Sequence, residues 1–379
     1  MIRRALTGRA FPYRTNSLNM FRLVLAILVL IAHSFYTTGN GVGPRLHGEN
    51  IGGWAVAGFF VLSGFLITRS RLRSTPGDYL VHRVARIFPA FLVCLVVTAA
   101  VFAPLALLIQ YHSLRGYLST PVTPFEFIWS NITLFVNQYG IGRSLSSVPY
   151  PSVWNGSLWT LYYEFLCYVL VWVLGALAWF RRNAILTAVG FLLITAAHAL
   201  EPIVMRLGLD ASFLLFLKLA PFFLGGAVVY FLVDRWGVNG WIGIGALVVA
   251  ATLCLAIPGW GGQIASPFIA YGLLWLSTVI PQPAWIARND VSYGFYIYAW
   301  PVQQLLALVG LGVGAGALGL IGYDLVAMAV TFVLAWLSWV LVERRVMARV
   351  RGVSPRPVLA SSTHGTPLPE RRAESIGHS

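Results

Sequence analysis

Two ionisable side chains, Arg22 and His33, stand in the first long apolar run of the sequence. Their spacing is close to three turns of α-helix, which puts both on nearly the same face, about 16 Å apart along the axis. An ionisable group at membrane depth is costly and marks function by default. Histidine is the side chain best suited to take and return a proton near neutral pH. The alternative is a neutral histidine hydrogen-bonded between helices, with Arg22 snorkelling to the head groups. Spacing alone weighs the two readings equally.

Arg83 and Arg86 are three apart and share a face if their segment is helical. Two guanidiniums so placed suit a pyrophosphate, gripped by forked hydrogen bonds. Tyr79, on the same stretch, is grouped with them as a candidate contact to such a ligand. The alternative is a lipid-facing basic cluster, which is the reading for Arg69, Arg71 and Arg73. Glu164 lies about two turns into another apolar run, where a carboxylate needs a partner. There it fixes a cation, orients a hydroxyl, accepts a proton, or serves as a buried counter-ion. Glu343, beside Arg344 and Arg345, reads as a structural or interfacial partner. Glu49 is a weak candidate partner for His33. Ser63 has the hydroxyl of a nucleophile, but no GxSxG elbow surrounds it, and Ser-Gly in a membrane helix is usually a packing feature. The polar and aromatic stretch Ser292–Gln304 lines a polar cavity or forms an interfacial aromatic belt.

The elements that must hold these residues follow from composition. The 379 residues are 58% hydrophobic and 10% charged, with a mean hydropathy of +0.76. A soluble surface needs more charge than that. Apolar runs of about 18 residues or more recur along the chain, each long enough to cross a hydrocarbon core. The fold class is therefore an all-α integral membrane protein of about ten transmembrane helices. The spans are expected near 18–36, 53–69, 87–111, 156–180, 184–204, 212–233, 240–257, 264–281, 291–314 and 320–342, with Pro104 a candidate kink in the third. The first run follows Arg3, Arg4, Arg9 and Arg14 but has no convincing cleavage site, so it is read as a retained helix. Residues 1–17 form an N-terminal segment, 18–345 the membrane domain and 346–379 a tail whose Pro, Arg, Ser and Thr content suits disorder.

The excess of Lys and Arg, 26 against 12 Asp and Glu, sits in short clusters between apolar runs. That is the pattern of cytoplasmic membrane loops and not of a nucleic-acid surface. It places both termini in the cytoplasm. Cys94, Cys167 and Cys254 lie inside apolar runs without metal-ligand spacing, so no metal is expected. The longest connection on the opposite side, about 112–155, is a candidate acceptor-binding cap or a plain interfacial loop.

Taken in order, R-x10-H, GFFVLSGFLI (58–67), RVARIFP (83–89), SLWTLYYE (157–164), SYGFYIY-x-WP (292–301) and LVER (341–344) resemble the acyltransferase-3 family of membrane acyltransferases. The resemblance covers roughly residues 16–345. It implies about ten core helices, His33 as the essential residue and Arg22 as its companion. It also implies acyl-CoA, acetyl-CoA in the first instance, as donor, with Arg83 and Arg86 near a cytoplasmic entrance for its phosphates. The acceptor it implies is a hydroxyl of a carbohydrate or surface glycan, modified at the inner membrane. Many members carry His where this chain has Ala299; Gln303 or Gln304 then takes that role, or it is absent. The chain reads as the stand-alone form, without the fused esterase-like domain of some members. Direct transfer and a transient acyl-enzyme fit the residues equally. Two other readings compete: a transporter with an Arg22–His33–Glu164 path, and a non-catalytic subunit of an envelope complex. The lack of an internal repeat disfavours the transporter.

Overall fold

The computed structural model describes residues 8–208 and 210–353. The expected tail therefore lies largely outside the described residues, as do Arg3 and Arg4. Each expected span contains a helix. These are α1 (Leu18–Thr37), α2 (Ile51–Leu72), and α3 (Pro76–Val97) continued by a π-helical turn (Thr98–Phe102) into α4 (Ala103–Tyr111). A short α5 (Pro124–Asn131) sits in the long connection, followed by α6 (Trp159–Leu174), α7 (Ala178–Arg182), α8 (Ile185–Ala199) and α9 (Glu201–Met205). Then come α10 (Ala211–Trp236), α11 (Gly240–Ala256), α12 (Gly261–Val279) and α13 (Ala284–Arg288). The last elements are α14 (Ser292–Leu308), α15 (Ala317–Ser338), a second π turn (Trp339–Glu343) and α16 (Arg344–Val353). Two-residue strands β1 (Arg45–Leu46) and β2 (Glu49–Asn50) pair before α2.

Among the described residues, five helical runs are long and apolar enough to cross a bilayer: Leu18–Thr37, Ile51–Leu72, Pro76–Tyr111, Ala211–Trp236 and Ala317–Val350. The protein is a multi-pass membrane protein. Two boundaries differ from expectation. The third segment starts at Pro76 and not near 87, because Thr75 caps it: its Oγ1 accepts from Asp78 N at 3.1 Å, and Pro76 suits the first helical turn. Tyr79, Arg83 and Arg86 therefore ride on helix. The last segment continues as α16 to Val353, so residues 346–353 are helical where a disordered tail was expected. Pro104 does not end its span. Its missing N–H falls just after the π turn, and the helix runs on to Tyr111.

Helix packing is set by small residues. A Cβ on Gly64 of α2 would come within 1.8 Å of Phe223 O, and one on Gly226 of α10 within 2.0 Å of Val61 O. The two backbones touch, as small residues allow between membrane helices. The α1 helix packs against α2 on one side and α14 on the other. Every residue from Ser292 to Gln304 is buried, so this stretch is a central helix and not an interfacial belt.

The N-terminal segment folds under the bundle. Gly8 N donates to Trp236 O at 2.8 Å, Arg9 bridges Val238, and Phe11 meets Phe65 at 5.4 Å between ring centroids. The α16 helix packs on α3. Both described chain ends thus lie at the same, arginine-rich end of the bundle.

Candidate active site

His33 lines a cavity of about 370 Å³ walled by Tyr36, Trp54, Trp159 and Trp300. Its Nδ1 is buried without a hydrogen-bond partner among the described residues. The ring stands edge-on to Trp300, centroids 4.7 Å apart. Trp300 is itself fixed, since its Nε1 donates to Val153 O at 2.9 Å and Gly156 leaves room for its ring: a Cβ there would sit 2.6 Å from it. The turn of α1 that carries His33 is anchored from behind. Ser34 Oγ donates to Asp324 of α15, Gln303 Nε2 donates to Ser34 Oγ and to Leu30 O, both at 2.9 Å, and Tyr323 Oη donates to Gln303 O at 2.7 Å. A free imidazole on a braced backbone, open to a cavity, is the arrangement that proton transfer to a bound ligand requires.

A second, small cavity of about 40 Å³ lies between the same helices, lined by Arg22, Phe59, Phe60, Glu164 and Tyr293. The two cavities share Val56, Thr160 and Tyr296 as wall residues. Tyr296 Oη lies 2.5 Å from Thr160 Oγ1 and donates to Ser157 O at 2.9 Å. These residues form the partition between the two spaces. Glu164 Oε1 accepts from Ser63 Oγ at 2.5 Å and from Tyr168 Oη at 2.6 Å. Of the roles open to Glu164, orienting hydroxyls is the one its contacts display. Ser63 is its donor.

The arginines divide sharply. Arg22 Nη1 meets Asp290 Oδ2 at 2.7 Å, and Arg86 Nη2 meets the same oxygen at 2.6 Å. Arg86 Nη1 reaches Glu343 Oε2 at 3.0 Å. Burial alone would raise the Asp290 carboxyl, in the connection before α14, but the two guanidiniums outweigh it and hold it at about 2. Arg86 is therefore spent on carboxylates, and the expected Arg83–Arg86 clamp is not formed as a pair. Arg83 has no carboxylate partner among the described residues; it lies 6.0 Å from the Tyr79 ring and 5.9 Å from that of Tyr168. Tyr79 is fully buried, its hydroxyl donating to Tyr168 O at 3.0 Å, so it serves as a wall beside Arg83.

Other expectations are corrected by position. Arg71 is buried, with Nε on Trp172 O at 3.1 Å, and does not face lipid. Arg69 lies over the Tyr13 ring at 3.7 Å. Glu49 lines the His33 cavity but pairs with Lys218 and not with His33. Ala299 packs with Ala26 and Leu30 of α1. Gln304 Nε2 is bound to Tyr150 O and Val153 O, both at 2.8 Å, so neither glutamine amide lines the His33 cavity. Sequence reading missed Asp290 and Asp324. Asp324 sits in an apolar run and meets the same test that picked Glu164. Asp290 stands directly ahead of the Ser292–Gln304 stretch, where arginines buried elsewhere needed a counter-ion.

A braced histidine at a cavity, next to a second cavity carrying Arg and Glu, is a candidate site inside the helix bundle of a multi-pass membrane protein. Comparison with known proteins gives the family. The model of the acyltransferase domain of the acyltransferase-3 family matches residues 15–340. The chain is 30% identical to an O-acetyl transferase of Shigella phage Sf6 over 349 residues, 89% of this chain and 97% of that protein. It is 26% identical to nodulation protein 10 of Rhizobium leguminosarum bv. viciae over 366 residues, 88% of this chain and 93% of that one. No solved structure matches it. The chain belongs to the acyltransferase-3 family and is an acyltransferase of the O-acetyltransferase-like kind.

Proposed function

We propose that this enzyme moves an acyl group, acetyl in the first instance, from acyl-CoA to a hydroxyl of a carbohydrate or cell-surface glycan. The observation that carries the reading is the pair of cavities divided by Val56, Thr160 and Tyr296, with His33 on one side and Arg22 and Glu164 on the other. In this reading about ten helices of residues 18–345 cross the inner membrane, with residues 1–17 and 346–379 in the cytoplasm. The arginine-rich end is then the donor side. Arg83, the member of the Arg83–Arg86 pair without a carboxylate partner among the described residues, meets the donor phosphates. Tyr79 walls that entrance, and Arg86 holds it together through Asp290 and Glu343.

The pantetheine arm threads past Arg22 and Glu164, and the thioester carbonyl reaches the partition. The acceptor occupies the larger cavity. His33 takes the proton of the acceptor hydroxyl as its oxygen attacks the carbonyl carbon. The new C–O bond forms, the C–S bond breaks, and the leaving thiolate takes up the proton. General-base help of this kind is worth about 10²–10⁴-fold; the rest comes from holding both substrates against one partition. Family membership supports this reading over the transporter, as does Glu164's engagement with Ser63 and Tyr168 in a cavity separate from that of His33.

The test is thiol release from acetyl-CoA by purified protein in vesicles, with and without a crude glycan acceptor. Release that needs acceptor and vanishes in His33→Ala supports the mechanism. No release from folded wild type across several acyl chains and acceptors would return weight to transport.

A further inference from the structure

The His33 cavity is not isolated. Trp159, one of its walls, also borders a cavity of about 330 Å³ lined by Phe135, Tyr139, Tyr163 and Ser212. Tyr139 in turn borders a third cavity of about 910 Å³, lined by Arg115, Tyr117, Val122, Asn137, Gln138 and Arg143. Three cavities thus follow one another from His33 into the long connection between α4 and α6, each step marked by one aromatic side chain. The His33 cavity alone is in the range that takes a whole small ligand. The other two have no part in the transfer.

The third cavity is built and not incidental. Asn131 spends all its polar capacity on shaping it: Oδ1 accepts from Asn137 N at 2.9 Å and Gln138 N at 3.0 Å, and Nδ2 donates to Phe127 O at 2.9 Å and Gln138 O at 2.7 Å. Gln110 of α4 ties the same connection to the bundle, donating to Ser144 O at 2.6 Å and accepting from Ser147 Oγ at 2.8 Å. Val122, on the cavity wall, holds φ at +77°, a conformation that a β-branched residue adopts only under constraint. Long connections held this firmly are usually functional. The Asn137 and Gln138 amides are bound within the connection and Arg143 lies over the Tyr111 ring at 4.1 Å, so the groups presented to a ligand are aromatic faces and the two guanidiniums. Trp159 and Tyr163 stand 5.8 Å apart in the middle cavity, and Arg115 and Arg143 have no carboxylate partner among the described residues. Rings that stack and guanidiniums that meet hydroxyls suit a chain of sugars.

We propose that the acceptor is a carbohydrate chain of several residues, laid from the His33 cavity past Trp159 and Tyr139, and that the cavity under Val122 is a remote subsite for that chain. The inference rests on the acyltransferase reading and deepens it.

The experiment uses oligosaccharides released from the envelope of cells whose copy of the protein has been deleted, so that the acceptor hydroxyls are free, separated by length from a single sugar upward. Transfer from acetyl-CoA is measured for the full chain, and binding of each fraction is followed by tryptophan fluorescence in His33→Ala. In wild type, kcat/KM rises with length by about tenfold or more, the worth of one added aromatic contact. Tyr139→Ala, and separately the surface pair Arg115→Ala/Arg143→Ala, bring the long-to-short ratio back to about one. A flat length dependence in wild type, or a ratio untouched by both variants, overturns the trough. Length-dependent binding without any transfer keeps the trough and removes the acyltransferase reading. Transfer with binding that ignores length does the opposite.

Discussion

Arg86 at one end of the bundle and His33 at the other are held in opposite ways. At the arginine-rich end, Arg22, Arg86, Asp290 and Glu343 are joined in one chain of ion pairs, each partner within 3.0 Å, and Ser292 Oγ adds a bond to Asp290 at 2.6 Å. At the other end, His33 keeps Nδ1 unpartnered beside an aromatic-walled cavity. A buried charge is tolerated only when paired, so the first region is architecture: it locks α1, α3, α14 and the turn that carries Glu343. A buried polar atom left unpaired costs free energy that folding alone gives no reason to spend. In the proposed mechanism His33 is the group that meets a substrate, and Arg83, whose Nε is likewise buried without a hydrogen-bond partner among the described residues, is its counterpart at the first end.

Substitutions at the two ends should separate cleanly. His33→Ala carries the largest expected effect, an activity loss of about 10²–10⁴-fold with the melting temperature in detergent close to wild type. A protein that melts early and regains activity with a bulky apolar replacement would make His33 a packing residue and erase the contrast. Asp290→Ala comes next and reads out the other way. It strands Arg22 and leaves Arg86 with Glu343 alone, and should cost about 3–5 kcal/mol, seen as a large fall in melting temperature and in yield of folded protein. Activity lost at unchanged melting temperature would show that Asp290 belongs to the chemistry instead.

Much of this contrast was legible in the residues, and the illegible part has a physical reason. The apolar runs are written in composition, and a helix occupies each of them. His33, Arg22 and Glu164 stood out because ionisable groups in such runs are costly. Arg83 and Arg86 stood out as a pair, and there the sequence was silent on how each is partnered. Three-residue spacing says that two arginines share a face, but not which carboxylates from distant helices reach one and spare the other. Asp290 and Glu343 come from the far end of the chain to claim Arg86. Arg71 failed in the same way: it looked like its exposed neighbours, and only the packing of α6 buries it. The trough was out of reach, because Tyr139 and Trp159 meet around cavities that exist only once the long connection is folded.

Acid gives a gentler probe of the paired end. The carboxyl of Asp290 is held at about 2, below its ordinary value near 3.8. A group with a depressed folded value stabilises the fold above its unfolded value, and that contribution is lost as pH falls through the folded one. The difference is worth roughly 2 kcal/mol, fully present above about pH 4 and lost towards pH 2. Thermal melting of wild type should therefore fall over that window by more than it does in Asp290→Asn. Parallel acid profiles would mean that the bridge contributes nothing to stability.

The smallest effect sharpens the line within the arginine-rich end itself. Arg83 and Arg86 sit one turn apart on α3, yet only Arg86 is bound to carboxylates. If pairing marks architecture, Arg83→Ala should leave melting nearly unchanged and raise KM for acetyl-CoA about tenfold, the loss of one charge-assisted contact of about 1.5 kcal/mol. Arg83→Lys should recover part of that, since it keeps the charge but not the fork. Arg86→Ala should do the reverse, losing stability first because Glu343 is left buried without its ion-pair partner. Should both variants instead raise KM alike at equal stability, the two arginines act together on the donor, and the ion pairs of Arg86 open when acyl-CoA arrives.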